Sequence, residues 1–288
     1  MRENVQTILG CNASYQEAEI CVFGAPFDST TSFRPGTRFA SQHIRNDSWG
    51  LETYSPYQDL DLEDAHIFDC GDLELCFGNT ETALSQIEEM TAEILGDGKI
   101  PCMIGGEHLV TLGSVRAAAK RYPELCILHF DAHTDLRKDY LGEPLSHATV
   151  IRRCHDLVGD GRIYQFGIRS GLREEFLWGA EHGFLHKFDF AGLEEAVAAI
   201  GDRPVYFTID LDVLDPSVFP GTGTPEPGGV SFMHLLSAVL TAAKLNIVGM
   251  DVNELCPVYD PGGASTAVAC KVLRELLLAV YFEKKERK

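Results

Sequence analysis

Residues 131–135 read Asp-Ala-His-Thr-Asp, which sets three metal-competent side chains, Asp131, His133 and Asp135, at alternate positions behind an apolar run, Leu125–Leu128. Alternation is the side-chain period of a β-strand, so this spacing predicts all three on one side as the strand runs out. A carboxylate–imidazole–carboxylate set on one face suits a divalent metal. Taken alone it fits a polar strand end with a hydrogen-bonded histidine equally well. Val205–Asp215 repeats the arrangement, with an apolar body followed by Asp210 and Asp212. Buried carboxylates from two strands repel one another and lose hydration unless cations sit between them. A third strand, Lys99–His108, ends in His108. Six donors so rich in oxygen exceed the needs of one tetrahedral zinc. They suit a pair of divalent ions sharing carboxylates at about 3.5–4 Å.

Positioning these donors takes a sheet. Apolar runs predict strands over Glu19–Asp28, Ile67–Glu74, Lys99–His108, Leu125–Asp135, Gly161–Ser170, Phe184–Phe190, Val205–Asp215 and Asn246–Leu255. Helical spacing predicts helices over Thr80–Leu95, Val115–Arg121, His147–Leu157, Arg173–His182, Ser231–Lys244 and Ala264–Phe282. The strand bodies are continuously apolar, as in a parallel sheet covered on both faces. Every candidate ligand falls at the carboxyl end of its strand, the edge where α/β sheets bind ligands. With no linker, repeat or low-complexity tract, residues 1–288 read as one domain.

The net charge of −19 argues against nucleic acid, which needs a basic face, and would attract a cationic substrate. No apolar run is long enough to span a membrane, and the start, MRENVQTILG, lacks a signal-peptide core. The nine cysteines form no close pairs, and several lie in strand runs, as reduced thiols of a cytoplasmic protein would.

Further chemistry lies outside the metal set. His147 opens a helix and could shuttle protons near neutral pH. Asp251 and Asn253 share one parity of the last strand, and Glu254 just beyond it could reach a cationic group. The loop Pro216–Val230, dense in proline and glycine, should bring backbone close to a ligand or a subunit. Gly105-Gly106 reads as a close-approach turn, without the lysine or spacing of a phosphate loop. The remaining histidines, 43, 66, 129, 155, 182, 186 and 234, read as structural or surface residues.

GGEH (105–108), FDAHTD (130–135), SHAT (146–149), FTIDLDVLDP (207–216), PGTGTPEPGG (220–229) and DVNE (251–254) together resemble the ureohydrolases, the family of agmatinase and arginase. GAPFDSTTSFRPGTRFA (24–40) resembles the N-terminal loop of the agmatinase branch. The resemblance implies a three-layer α-β-α fold with a central, mainly parallel eight-stranded sheet, two manganese ions per subunit, and homotrimers or homohexamers. It implies His108, Asp131, Asp135 and Asp210 around one ion, and Asp131, His133, Asp210 and Asp212 around the other. His147 would match the proton-shuttling histidine and Glu254 the glutamate that grips a guanidinium. The sequence departs from the agmatinase pattern at Ala148 and at Ala40-Ser41, neither of which is a ligand.

The expected function is hydrolysis of a guanidinium to urea and an amine, with agmatine yielding putrescine as the favoured reaction. The alternatives are arginine, guanidinobutyrate, formiminoglutamate or free guanidine as substrate, a dinuclear phosphohydrolase, and a non-catalytic homologue. Arginases carry an Asn and a Ser after DAHxD to hold the substrate carboxylate. The position two after Asp135 is here Arg137, and Asp139 and Glu143 are candidate partners for a substrate ammonium.

Overall fold

The computed structural model describes residues 6–287. The first five residues of the polar start and Lys288 lie outside that range. Among the described residues are ten strands: β1 (Ile20–Gly24), β2 (Tyr54–Ser55), β3 (Leu60–Asp61), β4 (Ile67–Asp72), β5 (Ile100–Ile104), β6 (Cys126–Phe130), β7 (Ile163–Ile168), β8 (Phe184–Lys187), β9 (Pro204–Asp210) and β10 (Asn246–Asn253). All but the short β2–β3 hairpin join one eight-stranded sheet in the order β4-β1-β5-β10-β9-β6-β7-β8, and every pairing in it is parallel. The eight expected strands are these eight. Their interiors explain the pattern: β1, β5, β6 and β7 are buried at every position.

Eight helices cover the sheet: α1 (Ala40–Ser48), α2 (Thr80–Gly96), α3 (Thr111–Arg121), α4 (Val150–Val158), α5 (Arg173–His182), α6 (Leu193–Ile200), α7 (Phe232–Ala242) and α8 (Ala264–Glu286). Leu84 and Ile87 of α2, Val115 of α3 and Ile151 of α4 pack with Phe23 and Met103 on one face of the sheet. Ile44 of α1, Leu235 of α7 and Leu276 of α8 pack with Val22, Phe130 and Phe207 on the other. The fold is therefore the expected three-layer α-β-α sandwich. Helices α1 and α6 escape the apolar pattern, since one is largely polar and the other spans only eight residues. Among the described residues no helix is long and apolar enough to cross a membrane.

Chain order and sheet order part company at the centre. The chain leaves β5 through α3 and enters β6 beyond a gap that β10 and β9 later fill. Such a reversal of winding opens a crevice at the carboxyl ends of the strands.

Candidate metal centre and catalytic cleft

The four adjacent central strands β5, β10, β9 and β6 frame that crevice, and three of them, β5, β9 and β6, deliver the six predicted donors to it. The donors do not ride on strands as alternation suggests. β6 stops at Phe130, so Asp131, His133 and Asp135 sit on the loop beyond it, while His108 and Asp212 sit in single 3₁₀ turns and only Asp210 ends a strand. Past the strand end, side-chain hydrogen bonds to the backbone hold the loops. Asp131 accepts from the His133 amide at 2.5 Å, and Asp210 accepts from the Asp212 amide at 2.9 Å. Asp135 adopts φ of +52° and Glu254 φ of +64°, left-handed conformations that L-residues hold only when their surroundings impose them.

The six donors meet at hydrogen-bonding range. His108 Nδ1 lies 3.1 Å from Asp131 Oδ2, 3.0 Å from Asp135 Oδ2 and 3.5 Å from Asp210 Oδ2. His133 Nδ1 lies 3.0 Å from Asp212 Oδ2 and 3.4 Å from Asp131 Oδ1. Behind the first ring, His108 Nε2 is 2.9 Å from Thr208 Oγ1, which orients Nδ1 toward the carboxylates. His129, read from sequence as structural, stands 2.8 Å from Asp131 Oδ2 and is held from behind by Gln165. Its position two residues before Asp131 on the same strand parity was the available signal.

The electrostatics call for cations. Burial, then the negative charges of Asp212, Asp131 and Glu254, push the Asp210 carboxyl well up. Burial and the Asp131 charge raise Asp135 to about 7. Burial would also raise Asp131, but the charge of His129 and hydrogen bonds from three histidines hold it well below the usual carboxylate range. Asp212 Oδ2 is buried and accepts no hydrogen bond, for the neighbouring His133 nitrogen is near but not aligned. A buried carboxylate oxygen without a donor is costly, and a divalent ion would satisfy it. Four carboxylates and two imidazoles are a donor set for hard to borderline divalent metals.

His147 and Glu254 face one another beside these donors, with Nδ1 and Oε1 4.0 Å apart. The Ser32 amide donates to His147 Nε2 at 3.2 Å, so that nitrogen accepts and the proton of the neutral ring sits on Nδ1. Burial, then the charges of His133 and His108, lower His147 to about 4. Glu254 accepts from the His108 amide at 2.8 Å, and burial with the charges of Asp212 and Glu107 raises it well above normal. Sequence reasoning missed the supports of this pair. Buried Glu107 accepts from the Thr30 amide and from the hydroxyls of Thr30 and Thr31, which fixes the loop carrying Ser32. Arg169 donates to the carbonyls of Asp212, Val213 and Glu226, pinning the Pro216–Val230 loop over the site.

Gly105-Gly106 is the close-approach turn expected, and the Pro216–Val230 loop packs closely against the chain's own backbone. A side-chain carbon on Gly106 would lie 2.0 Å from Phe27 O, and one on Gly223 would lie 2.9 Å from Arg34 O and 3.7 Å from Glu254 Oε2. The cleft, about 270 Å³, is further lined by Ser32, Arg137, Tyr140, Glu175 and Thr224. Asp139 and Glu143 do not line it. Their carboxylates accept from Gly142 and Leu145 of their own loop at 2.9 Å each, because a short exposed turn satisfies them locally.

The model of the arginase family matches residues 18–279. The chain belongs to the arginase family. An agmatinase of Bacillus anthracis is 49% identical over 269 residues, covering 92% of this chain and 93% of that protein. An agmatinase of Bacillus subtilis is 47% identical over 277 residues, covering 95% and 96%. The solved agmatine ureohydrolase of Thermoplasma volcanium superposes with a TM-score of 0.90 at 34% identity, covering 99% of this chain and 97% of that one. The ureohydrolase resemblance and the arginase-like fold are thus borne out, and the chain is an enzyme of the arginase family.

The charge pattern predicts an unusual pH response once divalent ions are chelated away. Asp135 has an ordinary value of 3.8 and a folded value of about 7, so its stabilising share is complete below 3.8 and lost as pH rises through 7. Asp210 and Glu254 shift the same way, as do His108 and His133, which are raised well above 6.5 by their carboxylate partners despite burial. His147 opposes them: its share is present above 6.5 and lost as pH falls through about 4. His129, lowered from 6.5 by burial, opposes them in the same way, and five groups outweigh two. The chelated protein should therefore melt at a lower temperature at about pH 8.5 than at about pH 6, and added divalent ion should recover most at high pH. Calorimetry decides it, and a chelated Tm that climbs with pH over this range would contradict the electrostatic account.

Proposed function

We propose that this enzyme hydrolyses agmatine to putrescine and urea with two manganese ions bound by His108, Asp131, His133, Asp135, Asp210 and Asp212. What supports the reading is the complete set of four aspartates and two histidines around one point, in a chain 49% identical to an agmatinase. When bound, such a pair supplies Lewis acidity and lowers the pKa of water. Manganese suits a site dominated by carboxylates.

The residues of the chain then divide the work. The reaction forms a C–O bond at the guanidinium carbon and breaks a C–N bond, with a proton needed on the departing amine. A guanidinium paired with the Glu254 carboxylate would favour its ionised form and orient the carbon for attack. Asp135 accepts a hydrogen bond from the attacking water and then from the hydroxyl of the tetrahedral species. His147 is neutral at neutral pH, so it relays a proton rather than storing one: Nε2 takes a proton from solvent by way of the Ser32 hydroxyl as Nδ1 hands its own to the departing amine, and the ring stays neutral. Ser32 keeps the other ring nitrogen engaged, which fixes that tautomer.

Substrate choice must arise at the end of the cleft away from Glu254. Arg137 lies there, its Nε 3.8 Å from buried Glu175 and its guanidinium over the Tyr140 ring. A chain with a net charge of −19 attracts agmatine, a dication, more than zwitterionic arginine. One charge-assisted contact is worth about 1.5–3 kcal/mol, so agmatine should exceed arginine in kcat/KM by about tenfold to a hundredfold. Urea release across a panel of guanidino compounds with manganese tests this. Arg137 is the specific observation favouring a second reading, a guanidino acid whose carboxylate it would hold. Faster turnover of guanidinobutyrate than agmatine would select that reading, and urea from none of the panel would end both.

A further inference from the structure

We propose that His155, Asp160 and His182 form a second metal site, for a borderline transition ion such as zinc or nickel. His155 Nε2 lies 2.7 Å and His182 Nδ1 2.9 Å from the same oxygen, Asp160 Oδ1, and all three donor atoms lie within 4.8 Å of one another. Tetrahedral zinc with ligands at 2.0–2.2 Å spaces its donors by about 3.4 Å. To reach that, the Asp160 oxygen would draw back from the two ring nitrogens by about 0.5–0.7 Å. Two imidazoles and one carboxylate select zinc, nickel or copper over manganese or magnesium. This is the reverse of the acid-rich centre.

The site is built rather than accidental. His155 stands in the last turn of α4, His182 ends α5, and Asp160 lies on the turn that enters β7. Helices of a parallel α/β sheet run against their strands, so these helix ends lie at the edge opposite the catalytic crevice. The turn is clamped to both histidines through backbone. Gly159 donates to His155 O and Gly161 to His182 O, each at 2.8 Å, with φ of +81° and +71° that glycine alone takes at little cost. One indole holds both rings: Trp178 stacks on His182 with centroids 4.4 Å apart and meets His155 edge-on at 4.6 Å. Arg152 covers the same indole, its Cζ 3.9 Å from the ring centroid. The imidazoles are partly buried and preset, while the Asp160 side chain is 68% exposed, leaving the remaining coordination positions to water. The bland alternative is that these contacts are only hydrogen bonds closing two helix ends.

Trp178 makes the site readable. The protein has two tryptophans, so Trp49→Phe leaves Trp178 as the sole indole. With the catalytic centre first saturated with manganese, Ni²⁺ should quench Trp178 fluorescence along a saturating curve, and Zn²⁺ should reverse the quench by competition. His155→Gln and His182→Gln should each shift the curve at least tenfold to higher nickel. The exposed Asp160→Asn should shift it in the same direction without touching the packing. Turnover of the guanidino substrate should be unchanged in all three variants. Quenching that rises without saturation, or a curve that Asp160→Asn and His182→Gln leave in place, overturns the site and returns the cluster to hydrogen bonding alone. Because the readout is fluorescence, a wrong assignment of substrate would not affect the result.

Discussion

Asp131→Asn is expected to remove divalent metal and activity together. Asp131 is fully buried and, among the described residues, the only carboxylate within reach of both His108 and His133, at 3.1 and 3.4 Å. An amide presents one weak acceptor where two charged oxygens stood, so neither half of the proposed ion pair keeps its shared ligand. Lewis-acid assistance is worth several kcal/mol, so the loss should be about a thousandfold or more in kcat/KM. Metal analysis of the purified variant beside wild type decides the matter. Two ions retained per chain with undiminished turnover would remove Asp131 from the centre. Circular dichroism should show the fold preserved, since the sheet beneath is held by Phe130, Phe207 and their neighbours rather than by the carboxylates.

His147→Asn should act on kcat and leave metal content as it was. His147 is placed by the Ser32 amide and hydroxyl, not by the aspartates, and it faces Glu254 across 4.0 Å. General acid–base assistance is typically worth about 10²–10⁴-fold, and that is the expected fall in kcat. The pH profile carries the stronger test. With His147 held near 4 by burial and by neighbouring positive charge, it stays neutral through the working range. The wild-type profile should therefore show no limb near pH 6.5 assignable to it. A variant with wild-type kcat at every pH would leave His147 a structural residue, and a wild-type limb near 6.5 that vanishes in the variant would contradict the depressed value.

The six donors, His147 and Glu254 were all legible from residue type and position. Their supports were not. Glu107 sits beside His108 in sequence, yet its work is to hold Thr30 and Thr31, 77 and 76 positions away. Arg169 reaches Glu226 across 57 positions. Neither contact has a local signature, because a side chain that braces a distant loop obeys no periodicity. The ammonium candidates Asp139 and Glu143 stand outside the cleft lining for the converse reason. Both are near the site in sequence, but each accepts from an amide of its own exposed loop.

Local patterns along the chain were enough for the eight sheet strands and six of the helices, because continuous apolar runs and helical spacing belong to short segments. They were enough to single out the candidate donors too, since acids and histidines fall just after apolar strand runs. It took tertiary packing to set β5, β10, β9 and β6 side by side, although chain order separates them. Parallel strands need crossovers, and the crossover from β5 to β6 leaves a gap whose occupants no local pattern names. That gap brings His108, Glu254, Asp210 and Asp131 to one crevice. The left-handed backbone of Asp135 and Glu254 likewise arises from packing beyond the strand ends, where the period of two no longer governs direction.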